Sequence, residues 1–171
     1  MFTLKSKVFR DSGKIPEKYA EKNSISPPVY WENIPQGTKS FALAVTDPDL
    51  PQEIGFPRVF AHWLIYNIPS SISGLLEGTS PDGELPDGSK ELNSDFFTFN
   101  IPGYNKGYGG PWPPDSAHRY VFTLYALKEE KIDIPESGDY FDFVNAVLPN
   151  TITTAVLIGY YGPAVNPLPK E

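Results

Sequence analysis

The chain of 171 residues carries two histidines, His62 and His118. Each stands where a proline-rich stretch gives way to an apolar run. His62 opens the run His62-Trp63-Leu64-Ile65-Tyr66-Asn67-Ile68, and His118 opens the run that ends at Leu127. Asp47 closes a third such run, Phe41-Ala42-Leu43-Ala44-Val45-Thr46. Two imidazoles can each donate an N–H, and both carry charge when protonated. A carboxylate beside them orients a ring and favours its charged form. With the Tyr120 hydroxyl they make a compact donor cluster suited to a small anion. The same trio, two histidines and one carboxylate, also suits a metal ion or general acid–base work. Either histidine alone reads as a packed strand-end residue. The equivalent placement of both favours a site.

The elements must deliver these groups to one place. Gly110 to Pro114 is a stiff loop, because each proline lacks an N–H and has a fixed φ. From His118 onward the chain is β-branched and aromatic without a breaker, which predicts a strand. Side chains alternate along it, so His118, Tyr120 and Phe122 share one face and Arg119 the other. Arg119 is therefore expected to support the structure through Asp49 rather than touch a ligand. Phe41 to Thr46 and His62 to Ile68 read as strands buried on both faces. A loop without a helix joins them, so they are expected to pair antiparallel. That brings Asp47 and His62 to one sheet edge.

Elsewhere, alternation from Phe2 to Val8 predicts a half-exposed first strand. Ser26 to Trp31 predicts an edge strand with a packed Trp. Ser70 to Lys106 reads mostly as surface loop, with turns at Asp82-Gly83, Asp87-Gly88 and Pro102-Gly103. Asp139 to Leu148 predicts a short helix with Phe141, Val144 and Leu148 at helical spacing. Thr151 to Tyr161 predicts the last strand, and the tail to Pro169 is expected to be extended and irregular.

Composition narrows the function. With 19 prolines and 14 glycines, long helices have little room and mainly β structure is expected. A formal charge of -7 argues against nucleic acid as a partner, since phosphate binding needs a basic face. No apolar run is long enough to insert in a membrane, and the N-terminus lacks a signal-peptide core. The absence of cysteine fits a cytoplasmic protein. High aromatic content suggests a homodimer. No serine elbow, zinc-protease helix or Gly-rich phosphate loop is present, and no cofactor is expected.

The motifs DPDLP, HWLIYNIP and YGGPWPPDSAHRYVFTLYAL, with ISPPVYW and PQGTKSFALAVTDPD before them, resemble the phosphatidylethanolamine-binding protein family. They are most similar to its bacterial and archaeal branch, the Raf kinase inhibitor-like proteins. The likeness covers nearly the whole chain as a single domain. It implies a β-sandwich with a large central antiparallel sheet, a smaller sheet and one or two short helices. It also implies a pocket for phosphate, phosphorylated head groups or carboxylates. By motif position the pocket residues are Asp47, His62, Gly110, Pro113, Pro114, His118 and Tyr120. The resemblance implies a regulatory or inhibitory binding module rather than an enzyme, with a peptidase as a possible protein partner. Kinase regulation by animal relatives does not carry over. Three departures stand out: Ala61 replaces an aromatic residue or second histidine, Asp115 places a negative charge beside the anion site, and the long C-terminal helix of the animal proteins is missing, which implies a more open pocket.

Overall fold

The structure is a computed structural model that describes residues 1–22, 24–101 and 106–163. The turn expected at Pro102-Gly103 and the tail beyond Pro163 lie outside these residues. Among the described residues the chain forms nine strands and two α-helices. The strands are β1 (Thr3–Lys5), β2 (Gly13–Lys14), β3 (Val29–Glu32), β4 (Ser40–Asp47), β5 (Phe60–Pro69), β6 (Gly74–Leu75), β7 (Lys90–Glu91), β8 (His118–Leu127) and β9 (Thr151–Tyr161). The helices are α1 (Asp95–Thr98) and α2 (Tyr140–Val147).

A six-stranded sheet in the order β2-β9-β8-β4-β5-β7 is the frame, and β1-β3-β6 make a smaller sheet. All pairings in the large sheet are antiparallel except that of β2, which joins β9 in parallel at one edge. The mainly β sandwich expected from the sequence is the observed fold. Its middle strand, β4, is buried at every position. The alternation of side chains splits it between two cores. Phe41, Leu43 and Val45 face Trp31, Trp63 and Phe122 in the core between the sheets. Ala42 and Ala44 face Leu64, Tyr66, Phe143 and Val147 on the other side, beneath α2. Each fully buried large side chain stabilises this arrangement by roughly 1.5–3 kcal/mol.

Four details differ from the sequence expectation. The first strand covers only Thr3–Lys5. The strand β3 is the middle of the small sheet rather than an edge, because its prolines, Pro27 and Pro28, precede the paired residues. Trp31 packs as expected. Helix α2 starts at an Asp139–Asp142 capping box, but it buries Phe143 and Val147 while Phe141 and Leu148 stay exposed. The apolar residues at Phe141 and Leu148 share a helix face that meets solvent, so spacing alone chose the wrong stripe. Finally, the stretch Ser70 to Lys106 is no plain surface loop. It contributes β6, β7, α1 and the buried Ser80, Leu92, Asp95 and Phe96.

Candidate functional site

The antiparallel pairing sets the site. β4 runs antiparallel to both β5 and β8, with Thr46 opposite Ala61 on one side and Val121 on the other. The end of β4 thus meets the starts of β5 and β8, and Asp47, His62, His118 and Tyr120 collect at one sheet edge. A cavity of about 250 Å³ opens there. Asp47, His62, Pro113, Pro114 and Tyr120 line it, together with apolar walls from Phe60, Phe96, Phe99 and Trp112.

His62 is the buried half of the site. Its Nδ1 lies 2.7 Å from the Gly109 carbonyl, which can only accept, so Nδ1 carries the proton. Gly109 N–H donates back to the His62 carbonyl at 2.9 Å, which clamps the loop to β5. Tilted and edge-on contacts with Phe60, Phe96 and Tyr120 fix the ring. Burial pulls the His62 pKa below its ordinary value, against the opposing pull of Asp47 and the Gly109 carbonyl. The ring is neutral at pH 7, and Nε2 is an acceptor with no hydrogen bond among the described residues.

Tyr120 stands beside it. Its hydroxyl is buried and has no hydrogen-bond partner among the described residues. Burial also holds its phenol well above the ordinary value, so the hydroxyl keeps its proton. The cavity is therefore lined by a residue with a spare donor, Tyr120, whose ring meets that of His62 edge-on at 5.1 Å.

His118 is the charged half. Its Nδ1 donates to Asp47 at 2.7 Å and its Nε2 donates to Asp115 at 2.6 Å. Carboxylates only accept, so both nitrogens carry protons and the ring is an imidazolium. Burial works against that charge, but the bonds and charges of Asp47 and Asp115 outweigh it and raise the pKa. Asp47 is held in turn by the backbone N–H of Asp49 at 2.7 Å. Asp47, His118 and Asp115 together leave one net negative charge.

Five of the seven residues assigned from sequence line the cavity. Gly110 and His118 do not. The Gly110 N–H is spent on the Ser24 hydroxyl at 3.1 Å. A Cβ at Gly110 would collide with that hydroxyl and with the Tyr19 carbonyl, so the glycine serves close packing. His118 lies behind Asp47 with both nitrogens occupied. Among the described residues no group of three His, Asp or Glu side chains is arranged to hold a metal ion. The acid–base alternative loses His118 as a free group for the same reason that the anion reading loses it as a free donor.

Arg119 points away as expected and forms a two-pronged pair with Asp49, at 2.9 Å and 2.7 Å. The pair is largely exposed, so its loss is expected to cost little stability. The departure at Ala61 also proves remote, because that residue faces the α2 core on the far side of the sheet from His62.

Sequence reasoning missed the support around the cavity. The Arg58 guanidinium pairs with Asp95 at 2.6 Å and 2.9 Å, and Asp95 also accepts the Ala61 N–H. That places α1 and its Phe96 against His62. A lone Arg between two loops gives no periodic signal. Gly109 was equally silent, although the glycine run 109–110 is itself the mark of close approach.

The family model described as phosphatidylethanolamine-binding protein matches residues 5–162. The chain belongs to this family. A UPF0098 protein of Methanothermobacter thermautotrophicus is 39% identical over 159 residues, which cover 92% of this chain and 97% of the relative. The UPF0098 protein YbcL of Escherichia coli is 38% identical over 148 residues, covering 82% of this chain and 73% of YbcL. The crystal structure of YbcL, described as a member of the mammalian PEBP family, superposes with a TM-score of 0.80 at 30% identity, covering 95% of this chain and 98% of that one. CT736 of Chlamydia trachomatis, a PEBP homologue, gives 0.79 at 30% identity, covering 95% and 97%. Family membership supports a ligand-binding protein on the PEBP fold. Among the described residues no helix is long and apolar enough to cross a membrane.

Proposed function

We propose that this chain is a binding module for a small molecule that carries an acid group on an apolar body. One observation carries the reading: the Tyr120 hydroxyl has no partner among the described residues, and Tyr120 and His62, whose rings meet edge-on at 5.1 Å, both line an apolar cavity. A buried donor without a partner costs stability, on the order of 1–3 kcal/mol, and is the kind of group that a ligand satisfies. A phosphomonoester or carboxylic acid supplies both complements. One oxygen accepts from Tyr120, and a second shares a proton with His62 Nε2. Charge-assisted bonds of this type are about twice as strong as neutral ones. The phenyl rings and Trp112 take the apolar body. The proline-rich loop holds the site in shape, so binding costs little ordering.

The proton shared with His62 makes binding take up a proton, so affinity rises as pH falls. Titration with inorganic phosphate and with phenyl phosphate, from roughly pH 5 to 8 around the usual histidine pKa, tests this. Phenyl phosphate is expected to bind more tightly than phosphate, and Tyr120→Phe to bind neither well. Parent-like affinity in Tyr120→Phe would overturn the reading. A regulatory role would follow from ligand occupancy and from a protein partner that reads it.

A further inference from the structure

Asp115 is the second carboxylate on His118 and the one that the ligand reading leaves unexplained. It follows Pro113 and Pro114, which form the cavity wall. Its side chain is 45% exposed, whereas the ring it holds is 1% exposed. It accepts from His118 Nε2 at 2.6 Å, while Asp47 holds the opposite nitrogen from inside the sheet. The two carboxylates are therefore unequal. Asp47 is buried, ends a strand and is fixed by a backbone N–H. Asp115 rides on an exposed loop, where its carboxylate also meets the backbone N–H groups of Ser116 and of Asp115 itself and, at 3.5 Å, the Ser116 hydroxyl.

We propose that Asp115 is a specificity-determining residue that acts as an internal competitor: its carboxylate closes off His118 Nε2, which stays outside the cavity lining while Asp115 holds it and which an acidic ligand would otherwise reach. The inference rests on the acid-binding reading of the cavity. An acid is an acceptor with the same two-oxygen geometry as Asp115, so only one of the two can hold the outer nitrogen. An incoming anion must either displace Asp115 or remain on His62 and Tyr120 alone beside a net negative charge. Singly charged acids suffer least from that charge, and the phosphate dianion suffers most. Asp115 thus selects for monoanions and neutral acids. The groups that face His118 are Asp47 and Asp49 from the end of β4, Asp115 from the loop, and Tyr120 from its own strand. Its neighbour Arg119 is neutralised by Asp49.

The test uses the full chain with ¹⁵N-labelled histidine as parent, Asp115→Asn and Asp115→Ala, each titrated with inorganic phosphate and with acetate. In the free proteins Asp115→Ala should move the His118 imidazole resonances and leave those of His62 in place. Phosphate affinity should rise about tenfold or more in both variants, the effect of removing a charge-assisted competitor. Acetate affinity should rise less. His118 resonances that do not respond to Asp115→Ala would overturn the proposal, because the contact would then be absent in solution. Equal phosphate affinity in all three proteins, with His62 and Tyr120 still responding to phosphate, would overturn it while leaving the acid-binding reading intact. Failure of all three to bind either anion would remove the acid-binding reading, and the competitor with it. Asp115→Asn preserves size and an acceptor oxygen, so it isolates charge if the alanine variant folds poorly.

Discussion

His62 and His118 each follow a proline-rich loop, each lie on a central strand and are 3% and 1% exposed. Their surroundings could hardly differ more. His62 sits among Phe60, Phe96 and Tyr120 and meets one backbone carbonyl. His118 sits between two carboxylates. Exposure is nearly equal, so exposure alone does not set the charge. Burial, opposed by the Asp47 charge and one carbonyl bond, leaves His62 neutral, whereas two bonded carboxylates outweigh burial at His118. The neutral ring faces the cavity and is free to bind. The charged ring is consumed in holding the edge of the sheet together.

The strongest way to break this contrast is to remove Asp47. Asp47→Ala leaves buried His118 with Asp115 alone and frees the Asp49 N–H. We expect a loss of about 3 kcal/mol in denaturant unfolding, the low end for breaking a buried pair because Asp115 remains. A change well below 1 kcal/mol would mean that His118 is not charged. Removing the Tyr120 hydroxyl should do the opposite on the other half. Tyr120→Phe deletes an unpartnered donor, so stability should hold or rise by about 1 kcal/mol while phosphate binding is lost. A clear destabilisation would reveal a partner for that hydroxyl.

The two rings should also respond to pH with opposite sign. His118 has a raised pKa in the fold, so its contribution is complete below the ordinary 6.5 and is lost as pH rises through the raised value. His62 has a lowered pKa, so it costs stability as pH falls from 6.5 toward the lowered value. Unfolding free energies measured across this range should show Asp115→Asn flattening the alkaline decline and His62→Phe flattening the acid one. If both variants flatten the same limb, the assignment of charges is wrong. The smallest effect belongs to Arg119→Ala. Its pair with Asp49 is exposed, so a thermal melt should register no more than about 1 kcal/mol, with phosphate affinity unchanged.

Much of this was legible in the chain itself. Unbroken β-branched and aromatic runs marked β4, β5, β8 and β9, and the absence of a helix between Asp47 and His62 dictated their antiparallel pairing. From that pairing Asp47 and His62 share a sheet edge, and His118 and Tyr120 join them on the further condition, met in the structure, that β8 also runs antiparallel to β4. Alternation sent Arg119 to the other face, where it meets Asp49. What alternation could not supply is the third dimension of the loops. Residues 106–114 cross the sheet edge and place the Gly109 carbonyl on His62, and Arg58 reaches across to Asp95 to seat Phe96. Those contacts join segments far apart in the chain with no periodic trace. The charge of each histidine followed from them. Sequence placed both imidazoles at strand starts, since strand chemistry is local. Only tertiary structure decided that one is a neutral acceptor and the other a paired cation, because a pKa is set by whichever atoms the fold brings within bonding distance.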